Sequence, residues 1–469
     1  MKRIFSEMKS LRYALLAFAA TALLLGGCGG GGGSSYDEPK VGIAVTNAPL
    51  DGHATNVVIK PATLLDWMKA GVVNSTDSFK SGNVVILDYA SGYATYPAIP
   101  GAVKVTTAEL AATRLEGIAE TGTLVPTGEM MDLVIKRAGI TSNTTIVFTS
   151  DTMFYAARAY FIFRYWGFPQ SQLKFLDGGN RAWKEEIPSA DLAGVNINAA
   201  PQSSNYSVKY NARLRDDLRM SIGEMISEVV PALADGRMLH LDALGLDHAD
   251  GTTVNADGTA KFLTTDLIDT TKYAVFEGRI NGSKPLGQGT LYTNDRLKSA
   301  DDIRTLFLAT GWTDGLPTSV ACRAGVSCNT LFLALDAVLG SPVYTYDGSW
   351  GQWGLYSNDA TKGGRVPADL TGQLARWATD QYTISGPLAA PILAPSYNLG
   401  KTRLVNNVPT AITLTNFAPS RFDTGVIYGT DGPEDPAANQ VESEDRVYMT
   451  TPSVSGPSDS TSGGGAQGC

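Results

Sequence analysis

The chain has 469 residues, of which 43% are hydrophobic and 18% charged, and its formal net charge is −9. That balance excludes a disordered chain, and the length exceeds one ordinary core, allowing roughly three domains' worth of structure. The acidic surplus argues against nucleic acid or an anionic membrane surface as a partner, so a small anionic substrate would need a local cation.

The first 27 residues set Lys2, Arg3, Lys9 and Arg12 against Glu7, a net of +3, which leaves the rest of the chain at −12. An apolar run over 14–25 follows; it suits a signal h-region and is too short to span a bilayer with ease. It ends in Leu25-Gly26-Gly27-Cys28, which resembles the lipobox of bacterial lipoproteins. The resemblance implies a signal peptide over 1–27, acylation of Cys28 and a lipidated, flexible tether over 28–54. It places the protein in the bacterial cell envelope, anchored to the membrane through lipid, at the outer membrane.

Two segments then repeat one order of elements. In the first, residues 84–88 (Val-Val-Ile-Leu-Asp) read as a buried parallel strand and 99–102 as a turn; 145–148 read as a second strand. An apolar helix over 155–166 is stopped by Gly167, and 174–179 give a strand and turn with Trp183 behind. In the second, 238–242 are strand-like, 279–283 take the place of the turn, and 318–321 form a strand leading into Cys322. A helix over 330–339 is stopped by Gly340, and 343–349 form a strand and turn with Trp350 and Trp353 behind.

Strands alternating with helices predict an α/β fold of two domains, over 55–190 and 216–385, each a mostly parallel sheet flanked by helices. Residues 191–215 lie between them as a linker, with an Ala/Ser/Asn/Gln-rich stretch at its centre. From 386 the pattern fades into an irregular, extended tail. It holds Pro387, Pro391 and Pro395, then the acidic run Glu442-Ser443-Glu444-Asp445, and a Ser/Gly-rich end; the tail reads as a solvated extension, with packing over the core or binding a partner left open.

The chemistry concentrates at Cys322-Arg323-Ala324-Gly325-Val326-Ser327-Cys328. A thiol in a short loop of small residues before a helix meets backbone amides and a helix N-terminus, both of which favour an anion. The thiolate is the nucleophilic form, so Cys322 is the candidate nucleophile. Cys328 reads as core packing or as a resolving thiol. With Cys28 acylated, Cys322, Cys328 and Cys469 cannot all pair within one chain. His53, His240 and His248 have no partner at zinc-like spacing, and neither a metal nor another cofactor is expected.

The order of elements resembles the tandem-domain rhodanese family of sulfurtransferases over residues 55–385. The loop at 322–327 is similar to that family's six-residue active-site loop. Leu176-Asp177-Gly178-Gly179 with Trp183, and Tyr346-Asp347-Gly348-Ser349 with Trp353, match its second recurring motif. The resemblance implies an inactive first domain, and Thr149-Ser150-Asp151 indeed offers no cysteine there. It also implies a ping-pong reaction. A sulfur-containing anion such as thiosulfate or polysulfide loads Cys322 as a persulfide, and a thiol or cyanide takes the sulfur. Arg323, Ala324, Gly325, Val326 and Ser327 become the substrate-binding loop, with Arg323 attracting the donor.

Two departures stand out. Ala324 replaces a second basic residue, and Asp242-Ala243-Leu244 lacks an arginine that thiosulfate-using members place there; Arg279 is a candidate substitute. A phosphatase of the Cys-x5-Arg type is excluded, because Cys328 stands at the arginine position. Two alternatives to the transferase remain open. One is a lipid-anchored redox or respiratory accessory protein with an envelope redox partner. The other is a scaffold that kept the fold with little turnover.

Overall fold

The computed structural model describes residues 45–75, 83–89, 95–116, 119–198, 204–229, 232–233, 235–244, 278–280, 282–356, 379–381, 402–405, 408–411 and 439–451. Cys28, Cys469 and the signal peptide lie outside the described residues, as does the Ser/Gly-rich end.

The runs of consecutive apolar residues form central parallel strands, as expected where both faces of a sheet are covered. The first sheet is built from β1 (Val58–Ile59), β2 (Asn83–Tyr89), β3 (Val103–Val105), β6 (Thr144–Thr149) and β7 (Leu173–Leu176). Its order is β1-β7-β6-β2-β3, parallel throughout. The antiparallel hairpin β4 (Ala112–Glu116) and β5 (Ala119–Leu124) stands apart from it.

The second sheet comprises β8 (Leu239–Asp242), β9 (Lys284–Pro285), β10 (Thr318–Ala321) and β11 (Val343–Thr345), in the order β9-β8-β10-β11 and again parallel. Arg219 adds a parallel bridge to Thr345 at its edge. The two sheets therefore share one strand order. Their registers also correspond: Asp88 pairs with Thr149, and Asp242 pairs with Ala321. Ser150 thus occupies in the first sheet the position that Cys322 occupies in the second.

Helices flank both sheets. In the first half they are α1 (Pro61–Lys69), α2 (Gly128–Ala138), α3 (Met153–Tyr165) and α4 (Gly179–Glu186). In the second they are α5 (Ala300–Leu308), α6 (Asn329–Leu333), which continues in wider π-type turns over Ala334–Leu339, and α7 (Ser349–Tyr356). The two halves share one continuous apolar core. At its centre α3 packs on α6, with the Phe161 and Phe332 rings 5.1 Å apart, edge to face. Burying a Phe such as Phe332 contributes about 1.5–3 kcal/mol. Beside this contact Asp336 accepts from Tyr160 Oη at 2.5 Å and pairs with Arg164 at 3.2 Å.

Two spans depart from their reading as loose connections. Of the linker, residues 204–215 are pinned to the first half: Ser207 Oγ and the Val208 amide donate to Asp132 at 2.6 and 2.9 Å, and the Arg215 amide donates to Tyr165 O at 2.7 Å. Within the tail, the acidic run is not extended. It lies in a helix, α8 (Gln440–Thr450), which buries Val441, Glu442 and Asp445. The reason is charge. Arg114 forks onto Asp445 with two bonds of 2.9 Å, Tyr165 Oη donates to the same carboxylate at 2.7 Å, and Glu442 meets Arg219 at 2.9 Å. Among the described residues no helix is long and apolar enough to cross a membrane.

Candidate active site

Cys322 directly follows β10, between β8 and β11 of the parallel sheet. Loops at the carboxyl ends of such strands are where open α/β sheets bind ligands. The loop then curls back on itself. Gly325 sits at φ +72°, and a Cβ there would lie 2.0 Å from the Asp347 carbonyl oxygen. Only glycine satisfies both the left-handed backbone and the close approach.

The sulfur is buried, with Cys322 3% exposed, yet its surroundings are polar. Burial pushes the thiol up. It is outweighed by hydrogen bonds from the Cys328 thiol, the Ser327 hydroxyl and the amides of Cys328 and Ala324, which hold Cys322 well below the usual thiol range. These donors favour the anion, as charge-assisted bonds do. Cys328, fully buried, moves the other way: burial and its donation to Cys322 keep it a thiol well above the usual range.

The second recurring motif braces the loop. The Cys322 amide donates to Ser349 Oγ at 3.1 Å, and that hydroxyl donates to Tyr346 O at 2.9 Å. The first amides of α7 close on the loop's carbonyls, Trp350 N to Cys322 O at 3.0 Å and Gly351 N to Arg323 O at 2.8 Å. Asn329, at the start of α6, donates through Nδ2 to Gly325 O at 2.7 Å and Val326 O at 2.9 Å. Of the residues assigned to substrate binding from sequence, Gly325 is buried, while Arg323, Ala324, Val326 and Ser327 are half-buried along the loop.

Sequence reasoning missed the groups contributed by the first half. Arg158, fully buried on α3, donates to Gly325 O at 2.9 Å and to Thr123 O at 2.7 Å. The Thr123 hydroxyl, on β5, donates to Ala324 O. Asp347 accepts from Arg219 Nε and from the Val125 amide, both at 2.8 Å, and lies 3.8 Å from Arg158. Arg219 reaches Glu116 at 2.9 Å as well as Glu442; burial opposes its charge, but these three carboxylates keep it protonated. The signal available in the sequence was a pair of arginines, 158 and 164, inside an otherwise apolar helix, since a buried cation requires partners.

Ser150, the counterpart of Cys322, spends its hydroxyl on Tyr89 O at 2.7 Å and accepts the Thr152 amide at 3.0 Å. Its loop is short and self-satisfied. His240 is a core residue: its Nδ1 lies 2.6 Å from Ser319 Oγ on the neighbouring strand, and burial lowers it to about 3. Among the described residues no group of three metal-ligating side chains occurs.

No protein-family model matches the chain. It is 25% identical over 224 residues to the sulfur carrier protein TtuD of Thermus thermophilus, spanning 47% of this chain and 72% of that one. It is 27% identical over 232 residues to a putative thiosulfate sulfurtransferase, SseA, of Mycobacterium leprae, spanning 49% and 69%. A solved structure of a 3-mercaptopyruvate sulfotransferase, SseA from Escherichia coli, aligns at 18% identity with a TM-score of 0.45, over 63% of this chain and 99% of that one. By sequence, the chain is a homologue of the thiosulfate/3-mercaptopyruvate sulfurtransferases.

Proposed function

We propose that the protein is a sulfurtransferase that moves a sulfane sulfur from thiosulfate or polysulfide to a thiol or cyanide through a persulfide on Cys322. The observation that carries this reading is a buried Cys322 at the carboxyl end of β10, in a loop that curls tightly at Gly325 and is braced by Ser349, whose Oγ lies 4.0 Å from the sulfur. The Cys322 thiolate attacks the outer sulfur of the donor; the S–S bond of thiosulfate breaks and sulfite leaves with the electron pair. The persulfide anion that remains is attacked at its terminal sulfur by the acceptor, which returns Cys322 as a thiolate.

Arg323 is the loop's cation and draws the donor in. Ala324 and Ala243 add no charge, so Arg323 meets the donor's negative charge without help from those two positions. Cys328 acts as a hydrogen-bond donor to the reacting sulfur. Its raised thiol makes it a poor resolving nucleophile. Acylation of Cys28 would hold this chemistry at the envelope membrane, within reach of an envelope redox partner.

Intact mass measured after incubation with thiosulfate or polysulfide tests the reading. One added sulfur on the wild type, lost in Cys322→Ser, is the expected result. No adduct under conditions that load an established sulfurtransferase overturns it in favour of a scaffold with little turnover, and an adduct that persists in Cys322→Ser moves the chemistry to another thiol.

A further inference from the structure

The first half of the chain has no reactive residue at Ser150, but it touches the loop at two carbonyls. In a trans peptide the C=O of one residue and the N–H of the next point in opposite directions. A carbonyl tied on the outside of a curled loop therefore aims the following amide inward. The tie between Arg323 O and Gly351 N at 2.8 Å aims the Ala324 amide, and that of Ser327 O to Thr330 N at 3.2 Å aims the Cys328 amide. Those are the two amides that lower the Cys322 thiol. Both ties come from the second half.

Between them lie two peptide units whose carbonyls are held from the first half. Ala324 O accepts from Thr123 Oγ1, which fixes the Gly325 amide. Gly325 O accepts from Arg158 Nη1 at 2.9 Å, alongside Asn329, which fixes the Val326 amide. Arg158 also grips Thr123 O at 2.7 Å, so hairpin and loop are locked by one guanidinium. Thr123 has φ +61°, a left-handed conformation costly for a β-branched residue. Strain of that kind persists only where its surroundings impose it. The Thr123 hydroxyl has one proton, and Gly122 O competes for it at 2.7 Å, so the Arg158 grip is the stronger of the two anchors.

We infer that Thr123 and Arg158 are positioning residues that aim the Gly325 and Val326 amides at the outer sulfur of the Cys322 persulfide, beyond the thiolate held by Ala324 and Cys328. This rests on the proposed sulfur transfer and adds a division of labour to it. The second half sets the resting thiolate; the first half sets the stability of the loaded state.

The division is measurable. In an exchange between glutathione persulfide and the Cys322 thiolate, one S–S bond breaks, one forms, and glutathione thiolate leaves. At a fixed ratio of glutathione persulfide to glutathione, the loaded-to-unloaded ratio of Cys322, read by intact mass, should fall roughly tenfold or more in Arg158→Lys and less in Thr123→Val. Thr123→Ser should restore it. The pH midpoint for iodoacetamide alkylation of unloaded Cys322 should stay at the wild-type value in all three. Equal loading of wild type and variants overturns the inference. So does a loading defect accompanied by a shifted alkylation midpoint, because a merely structural collapse of the loop moves both. Failure of the wild type itself to load would instead refute the sulfur transfer.

Discussion

Replacing Gly325 with alanine puts the active-site loop under a known load. At φ +72° an alanine costs about 1–2 kcal/mol in backbone strain alone. The added Cβ would also stand 2.0 Å from the Asp347 carbonyl oxygen, a backbone atom that no rotamer change can move away, and ordinary contact begins at 3.4 Å. Loop and β11 turn must separate by about 1.4 Å, the difference between those distances. A displacement of that size breaks hydrogen bonds to the sulfur. Each bond lost from an anion is worth about 1.5–3 kcal/mol, and about 1.4 kcal/mol is one pKa unit. The Cys322 thiol should therefore rise by about 1–2 units for each amide withdrawn. Alkylation of Cys322 followed across pH by mass reads the shift, and far-ultraviolet circular dichroism checks that the fold persists. A Gly325→Ala protein with the wild-type alkylation profile and wild-type stability would refute the idea that this close approach shapes the anion site.

Three further outcomes follow from the same contacts. Cys328→Ala removes the thiol that donates to Cys322 and should raise its alkylation midpoint by about one unit, whereas Cys328→Ser keeps a donor and should leave sulfur loading intact; equal midpoints in both would show that the thiol does not donate. Asp445→Ala leaves Arg114 buried without its forked partner and should cost about 3–5 kcal/mol, while Arg446→Ala, which removes an exposed pair with Asp216, should cost less than about 1 kcal/mol; urea midpoints compare them. His240 is neutral in the fold at about 3, against 6.5 when unfolded, so the unfolded chain binds the extra proton between those values and stability falls as pH drops through that window. At pH 4.5 the loss is about 3 kcal/mol relative to pH 7, and His240→Asn should lack that share of the acid slope in urea titrations.

The elements that could be read in advance are those whose composition admits one answer. Apolar runs ending in aspartate at Asp88 and Asp242 are buried parallel strands, and a small-residue turn between such a strand and an apolar helix located Cys322. The hairpin β4–β5 was not legible. Its Arg114, Glu116 and Thr121 break any apolar pattern there, yet all three are buried, with Arg114 and Glu116 matched by charges far along the chain. The same confusion hid α8. An acidic run normally marks a solvated face, and nothing near residues 442–445 shows that arginines at 114 and 219 are waiting for it. Arg158 went unnoticed because so apolar a helix keeps its pattern even with arginines at 158 and 164. Its partners, the carbonyls of Gly325 and Thr123, carry no sequence signal at all.

The pairing of α8 with buried arginines also fixes when the protein can finish folding. Arg219 and Glu442 are 223 positions apart, and Arg114 and Asp445 are 331 apart. Until α8 is in place Arg114 lacks its forked partner Asp445 and Arg219 has only Glu116 and Asp347, and a buried charge short of partners keeps the interior loose. Asp347, which abuts Gly325 and binds Arg219, inherits that delay. The reacting thiol thus precedes in the chain the helix that completes the support of its loop.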